Sequence, residues 1–249
     1  MSKRIPTRQI TAWSFSRYAT YKQCPLKAKL QFIDKIKEPA NDAMKRGMSV
    51  HDAAEAYIKG VDKQGVKTST LPPELTSFKR QFQILRKQYK KSISGMVVED
   101  TWAFTKDWDE TQWTDWVGCW VRIKLDCAYH VTDDIMIVVD WKTGRFRSEM
   151  GGAYSEQLEL YALAGLLLHP HLKEVRPCIA YTDHGVVFPP DDEPIIYTRG
   201  DIPKLKKIWS KRTRSMLVDK SFAPRPNDKC HWCFYRRSNS GNGGGQCKY

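Results

Sequence analysis

The segment 126–144, DCAYHVTDDIMIVVDWKTG, limits the fold of this chain more than any other part of the sequence. Its unbroken apolar run, 135–139, is typical of a strand buried on both faces, and Asp140 and Lys142 follow that run. The two consecutive aspartates in the middle of the segment predict a turn. Because side chains two residues apart lie on the same face of a strand, Asp140 and Lys142 should point the same way. The segment therefore predicts a β-hairpin that ends in charged side chains.

The strand before the turn alternates in character. Trp120, Arg122, Lys124 and Asp126 are expected on one face, with Val121, Ile123, Leu125 and Cys127 on the other. A hairpin would bring Asp126 beside Asp140. Neighbouring buried carboxylates repel each other unless a cation joins them, and carboxylate oxygens are ligands of divalent metals. We therefore predict a site for Mg²⁺ or Mn²⁺ between the two strands, with Lys142 next to whatever the metal holds.

The composition favours a basic globular protein with a polyanionic partner. The chain has 249 residues, of which 41% are hydrophobic, and its formal net charge is +13. This length predicts one domain, 1–249, with a sizeable core. A basic surplus of this size makes nucleic acid the first candidate partner. The alternative is a basic surface that only keeps the protein soluble.

The apolar segments and the cysteines indicate the cellular location of the protein. No apolar stretch reaches the roughly 20 residues of a membrane span, and no apolar signal core follows the basic residues near the N-terminus. We therefore expect no membrane partner and a cytoplasmic location. Because the cytosol keeps thiols reduced, the seven cysteines are not expected to form a disulfide framework.

Predicted helices and strands follow one another in blocks. Helices are predicted over 12–33, with an interruption at 24–25, and over 43–60, 74–91, 155–169 and 201–219. Strands are predicted over 96–105, 117–131, 135–142 and 176–188, the last with a turn at 183–185. This order indicates an α+β or mixed α/β fold with a central sheet. It divides the chain into a helical part (12–95), a catalytic sheet core (96–220) and a cysteine-containing segment (221–249).

Five short motifs occur in a fixed order along the chain. They are Cys24-Pro25, Arg46-Gly47 with His51, Asp126 with the sequence DWKTG at 140–144, Gln157 with Tyr161, and the pair Cys230 and Cys233. Together they resemble the PD-(D/E)XK nuclease superfamily in its RecB- and Cas4-like branch, which has iron–sulfur members. The resemblance runs from about residue 12 to the end. It implies a restriction-endonuclease-like fold, a central mixed sheet flanked by helices, with the termini joined by a cysteine cluster.

The resemblance also implies roles for particular residues. His51, Asp126, Asp140 and the backbone carbonyl of Trp141 would bind the metal, and Lys142 would serve the attacking water. Gln157 and Tyr161 would touch the substrate backbone or orient the site. The family usually has a glycine just before its first metal-binding aspartate, where this chain has 122–125, so Glu99 or Asp100 is an additional or alternative acid. Without the other motifs, Asp140 and Lys142 would be read as a surface salt bridge and His51 as a packed helix residue.

Further side chains are assigned to a metal cluster and to DNA. The resemblance implies that Cys24, Cys230, Cys233 and Cys247 bind a [4Fe-4S] cluster; zinc, or no metal, is the alternative. Predicted DNA contacts come from Arg46, Arg122, Lys124, Arg145 and Arg147, and from the basic faces of helices 74–91 and 201–219. Of the tryptophans at 102, 108, 113, 116 and 120, most are expected in the core and one or two in a DNA channel.

The sequence thus predicts a metal-dependent DNA nuclease. The expected activity is that of an exonuclease on single strands or duplex ends, in recombination and repair or in CRISPR-type adaptation. No phosphate-binding loop of an ATP motor occurs in the chain, so a helicase, recombinase or single-strand-binding protein is an expected partner, and homo-oligomerisation stays open. The rival hypotheses are a non-catalytic nucleic-acid-binding or assembly subunit of the same fold, and a zinc-stapled RNA-processing enzyme.

Overall fold

A computed structural model describes residues 9–91, 95–144, 146, 151–190 and 193–249. The α-helices are α1 (Phe15–Gln23), α2 (Pro25–Ala28), α3 (Asp42–Lys59), α4 (Lys79–Lys90), α5 (Gly151–Leu168) and α6 (Ile202–Val218). The strands are β1 (Val97–Phe104), β2 (Val121–Thr132), β3 (Ile135–Lys142), β4 (Glu174–Tyr181), β5 (Val186–Phe188) and β6 (Tyr197–Thr198). Over the described residues, every helix is too short or too polar to cross a membrane.

The strands form one mixed sheet in the order β1-β2-β3-β4-β5, and β6 pairs with the first residues of β4. Neighbouring strands are antiparallel except β3 and β4, which run parallel. A parallel pair needs a crossover connection, and α5 lies in that connection. The predicted mixed α/β fold, a central sheet flanked by helices, is confirmed.

Two clusters of buried apolar residues cover the sheet. The first includes side chains of α1, α5 and α6, and the second includes side chains of α3 and α4. Along β3, Met136 and Val138 belong to the first cluster, whereas Val139 and Trp141 belong to the second. The strand is therefore buried on both faces, as its apolar run predicted.

Local chemistry explains where several helices begin and end. Gly60 closes α3 with a φ of 80°, in the left-handed region that glycine adopts without strain. Cys24 is extended and Pro25 begins α2, so the predicted interruption of the first helix is confirmed. The prediction of one continuous helix over 74–91 was wrong, because its first turns form a 3₁₀ helix, Pro73–Phe78, ahead of α4.

The second strand begins later than predicted. Residues 117–120 lie in a turn region, and β2 begins at Val121. The Asp115 carboxylate accepts hydrogen bonds from the backbone N–H groups of Gly118 at 2.7 Å and Val117 at 3.1 Å. Such side-chain bonds satisfy backbone groups that a strand would otherwise pair, and so favour the turn.

The regular alternation predicted along β2 breaks near its middle. Leu125 packs in the first cluster and Cys127 in the second, so the prediction that they share a face was wrong. Opposite this point, Glu99 of β1 has a φ of 51°, and the ladder pairs Val98 with Cys127 but skips Glu99 itself. The irregularity lies beside Asp126, which is where the polar site forms.

Candidate active site

The hairpin of β2 and β3 places two acidic residues across from each other. The ladder pairs Cys127 with Val139, and Asp126 and Asp140 are the next residues of the two antiparallel strands beyond that pair. Both are buried, with exposures of 6% and 2%. The Asp126 carboxylate also accepts a hydrogen bond from the backbone N–H of Trp141 at 2.7 Å. The structure thus brings together the two acids that the sequence predicted to meet.

A group of ligand-type atoms forms where α3 and β1 meet that hairpin. His51 Nδ1 lies 3.1 Å from Asp126 Oδ1 and 3.1 Å from Glu99 Oε1. One such atom from each of the three residues lies within 4.8 Å of the other two. An imidazole nitrogen with two carboxylates is a donor set that suits a metal such as Mn²⁺ or Mg²⁺.

The electrostatics of this group fit a cation. Burial acts to lower the pKa of His51, but hydrogen bonds to Asp126 and Glu99 outweigh it and raise the pKa to about 10. Burial, together with the charge of Asp140, raises the pKa of Asp126. Burial acts to raise the pKa of Glu99, but His51 and Lys124 lower it overall. The imidazolium therefore neutralises two buried acids, which is what a metal ion would also do.

Glu99 is the ligand-type residue that the hairpin motif does not contain. Sequence reasoning offered either Glu99 or Asp100 as an extra acid, without choosing between them. In the structure, Glu99 reaches His51, whereas Asp100 accepts a hydrogen bond from Trp102 Nε1 at 3.2 Å. The distinguishing signal is register: Glu99 and Asp126 lie between the same two ladder pairs, Val98–Cys127 and Asp100–Leu125. Register is set by pairing in three dimensions, so the sequence does not show it.

Asp140 has a different set of contacts. Lys142 Nζ lies 2.5 Å from Asp140 Oδ2. The other oxygen, Oδ1, accepts hydrogen bonds from Gln157 Nε2 at 2.9 Å and from the Tyr161 hydroxyl at 2.8 Å. Burial, followed by the charges of Asp140 and Asp126, raises the pKa of Tyr161 well above its ordinary value, so the phenol keeps its proton and donates. Gln157 and Tyr161, one turn apart on α5, therefore orient this carboxylate.

The arginine of the upstream motif anchors the helix that carries His51. Arg46 makes a bidentate pair with Asp183, at 2.6 and 2.7 Å, and Asp183 also accepts the Gly144 N–H at 2.8 Å. These bonds tie α3 to the turns that follow β3 and β4. One face of α3 is thereby held against the site, and His51 follows Arg46 on the same helix. A DNA contact by Arg46 stays a prediction.

An open cleft of about 470 Å³ leads to these side chains. Two of the residues predicted to contact DNA, Arg122 and Lys124, line it together with the acids of the hairpin. Lys124 Nζ also lies 2.7 Å from Glu99 Oε2. Arg145 and Arg147, the other two loop arginines predicted to contact DNA, lie outside the described residues.

Two tryptophans lie beside this cleft on the loop that precedes β2. Trp113 lines the cleft. The Arg122 guanidinium carbon lies 5.7 Å from the Trp113 ring centroid and 4.9 Å from that of Trp116, and Trp116 is 75% exposed. By contrast, Trp102 and Trp108 are buried in the core. The loop therefore presents aromatic surface and a cation next to the site.

Four cysteines gather where the two ends of the chain meet. Cys24, Cys230, Cys233 and Cys247 all line one cavity. The backbone N–H of Arg225 donates to Cys24 Sγ at 3.4 Å, and that of Asn227 donates to Cys230 Sγ at 3.3 Å. Among the cysteines, all of which are described, no three of the sulfurs lie within 4.8 Å of one another.

Comparison with known proteins identifies the family. The model of the PD-(D/E)XK nuclease superfamily matches residues 12–238. A solved structure of a candidate exonuclease from Eubacterium rectale is 14% identical, with a TM-score of 0.47, and the match covers 91% of this chain and 88% of that one. The structure of SSO0001 is 11% identical, with a TM-score of 0.39, and the match covers 94% and 85% of the two chains. No curated protein sequence matches. The extent of the family match shows that this chain belongs to the PD-(D/E)XK nuclease superfamily.

Proposed function

We propose that this protein is a metal-dependent DNA exonuclease of the RecB- and Cas4-like branch, acting on single strands or duplex ends in recombination, repair or CRISPR-type adaptation. The observation that carries the proposal is one cleft lined by His51 and Asp126, two members of the metal-type group, and by the Asp140–Lys142 pair. The net charge of +13 supports a polyanionic substrate.

The metal would be held by side chains from three elements. His51 of α3, Glu99 of β1 and Asp126 of β2 supply one imidazole nitrogen and two carboxylates. Asp140 and the backbone carbonyl of Trp141 are proposed as further oxygen ligands. A bound Mg²⁺ or Mn²⁺ supplies charge neutralisation at the phosphate and lowers the pKa of a water molecule.

The remaining residues either act on the substrate or orient the Asp140 carboxylate. Lys142, held beside Asp140, is placed to orient the attacking water and to stabilise the negative charge that develops on the phosphate. Gln157 and Tyr161 keep the Asp140 carboxylate in one orientation through two hydrogen bonds to Oδ1. Positioning of this kind lowers the barrier because the groups need not reorganise during the reaction.

Unpaired DNA is the substrate that the cleft favours. Base stacking on exposed aromatic rings does not depend on sequence, and it needs bases whose faces are free. Trp113 lines the cleft, and Trp116 lies over Arg122 with three quarters of its surface exposed. A guanidinium beside two rings supplies both a phosphate contact and a stacking surface. We therefore propose that this loop receives the strand as it enters the cleft.

The cysteine cavity is proposed to hold a [4Fe-4S] cluster. The four thiols come from both ends of the chain, and two of them accept backbone N–H bonds, which are a common means of tuning such clusters. A cytoplasmic location is part of this proposal, because the cytosol keeps thiols reduced and available to a cluster. In this proposal the cluster links the terminal segments and takes no part in phosphodiester cleavage.

A titration of Mg²⁺ and of Mn²⁺ tests the nuclease function. The full chain, first treated with a chelator, is given end-labelled linear single strands and circular single strands. Metal-dependent release of short products from linear DNA only is expected. Asp140→Ala and Lys142→Ala should each lose at least about 100-fold in rate, because each removes a group that acts in the transition state.

The outcomes separate the rival functions. Equal degradation by the wild type and both variants would identify a contaminating nuclease. Binding of DNA without cleavage in either metal would favour the non-catalytic subunit. Cleavage of the circle would replace the exonuclease mode with an endonuclease mode, and preferred cleavage of RNA would favour the RNA-processing alternative.

A further inference from the structure

Three of the six histidines in the chain meet away from the nuclease cleft. His130 lies on β2, and His169 and His171 follow the last residue of α5. Their ring centroids are 5.6 Å apart for His130 and His169, 5.4 Å for His130 and His171, and 5.9 Å for His169 and His171. We call these residues the histidine trio. Each ring therefore touches the other two.

One nitrogen of the trio is buried without a hydrogen-bond partner among the described residues. It is Nε2 of His130. A buried nitrogen of this kind costs free energy unless a donor or a cation reaches it. The His130 ring is also held in place, because a Cβ atom on Gly95 would come within 2.8 Å of it, and Gly95 has a φ of 87° that disfavours any side chain. The ring is thus packed tightly, yet one polar atom is unsatisfied.

Two of the three histidines, His130 and His169, have lowered pKa values. Burial, and next the charge of His171, lower the pKa of His130, against a smaller opposing effect of Asp133. Burial and the two neighbouring histidines lower the pKa of His169. At neutral pH the lowered pKa values keep the imidazoles of His130 and His169 neutral, the form that binds metal ions.

We propose that the histidine trio is a second metal site, specific for an imidazole-preferring ion such as Zn²⁺, Ni²⁺ or Cu²⁺. Three imidazoles on one tetrahedral ion, with metal–nitrogen bonds of about 2.0 Å, have ring centroids about 5 Å apart. The observed separations exceed this by less than 1 Å. Within the described residues, the three ring nitrogens do not all approach within 4.8 Å, so binding requires rotation of the rings. The exposed His171 has room to rotate.

This site is distinct from the nuclease centre in place and in chemistry. His130 is four residues along β2 from Asp126, about 13 Å at the rise of a strand. The nuclease site is mainly carboxylate, which suits hard ions, whereas three imidazoles favour the ions at the upper end of the affinity series. A metal here would join β2, which carries Asp126, to the end of α5, which carries Gln157 and Tyr161. It would act as a structural clamp on the elements that position the site.

Zinc binding by chelator-treated full-length protein tests the proposal. Zn²⁺ alone is added, and metal content is measured after equilibrium dialysis at low micromolar free Zn²⁺. The wild type is expected to hold one more zinc per chain than His171→Ala, with at least about 100-fold weaker zinc binding at this site in the variant, since one of three ligands is lost. His184→Ala, an exposed histidine outside the trio, is the matched control. The cysteine cavity is intact in all three proteins and contributes equally.

A second measurement follows the rings themselves. Long-range proton–nitrogen spectra of the imidazoles should show the signals of residues 130, 169 and 171 shifting together as zinc is added. Equal zinc content in wild type and His171→Ala, or unchanged imidazole signals, would overturn the proposal, as would a shift of His171 alone. Asp126→Ala should keep the extra zinc, so loss of nuclease function and loss of this site are separable. His171 is exposed, so its replacement does not disturb the core.

Discussion

Glu99 is a single residue on which the reaction should depend. It completes the group of possible metal ligands around His51, although it lies outside the hairpin motif. Glu99→Gln keeps the size of the side chain and removes its charge. We expect about 10- to 100-fold weaker Mn²⁺ binding and a similar loss of nuclease rate at limiting metal, because one anionic ligand is gone. Asp100→Asn, one residue along the same strand, is the control. Equal effects of the two substitutions would show that Glu99 has no special place in the site.

His51 gives the site a pH dependence when no metal is bound. Its pKa is raised to about 10 from an ordinary value of 6.5, so its folded form binds a proton more tightly than its unfolded form. The resulting stabilisation is fully present below about pH 6.5 and disappears as the pH rises towards 10. In a chelator, the difference in free energy of unfolding between wild type and His51→Gln should shrink by about 2 kcal/mol over that range.

Denaturant unfolding at several pH values measures this difference. If the difference in free energy of unfolding between the two proteins is constant between pH 6.5 and 10, the imidazole of His51 is neutral throughout. Added Mn²⁺ should abolish the pH dependence of this difference, because the ion replaces the His51 proton between Glu99 and Asp126.

At the scale of elements, the loop before β2 determines which DNA the cleft receives. Trp116→Ala should weaken binding of single-stranded DNA by about 1–3 kcal/mol, which is the loss of one stacked base. The cleavage rate at saturating DNA should change little, since Trp116 is not among the residues that line the cleft. Trp232→Ala is the matched control, because Trp232 is also exposed, at 87%, but lies in the C-terminal segment. Dissociation constants from fluorescence anisotropy would test the difference, and equal losses in both variants would contradict it.

Sequence patterns predicted the strands of the hairpin but not the contacts that position the hairpin and helix α3. Polar and apolar alternation identified β2, and the run before Asp140 identified β3. The break between Leu125 and Cys127 was not predictable, because it depends on the conformation of Glu99 on the neighbouring strand. Similarly, the sequence did not show that Arg46 pairs with Asp183, which is 137 residues away in the chain. Contacts at such separations leave no periodic signal.

In the molecule as a whole, residues 22–36 are held against the C-terminal segment. The side chain of Asn227 donates to the Gln23 carbonyl, Arg225 donates to the Lys22 carbonyl, and the Tyr235 hydroxyl donates to the Ile36 carbonyl at 2.7 Å. The cysteine cavity lies among these bonds. Loss of a thiol ligand should therefore affect stability more than chemistry.

Cys247→Ser tests this expectation. The variant should lose bound iron and visible absorbance, and its Tm should fall by several degrees, because the C-terminal segment then loses a link that closes a long loop. Cys178→Ser on β4, outside the cavity, is the control. Iron content by metal analysis and unfolding by calorimetry give the two readouts. Zinc in place of iron in the wild type, or equal Tm values for both variants, would contradict the cluster proposal.

Local sequence was enough to predict most of the elements, the hairpin with its two acids and lysine, and the family, because these depend on local periodicity and on residues close together in the chain. The tertiary structure alone decided that Glu99 joins His51 and Asp126, that Gln157 and Tyr161 hold Asp140, and that three histidines meet at the far end of β2. These contacts depend on strand register and helix packing. Register and packing come from burying many apolar side chains at once, and no short stretch of sequence encodes that sum.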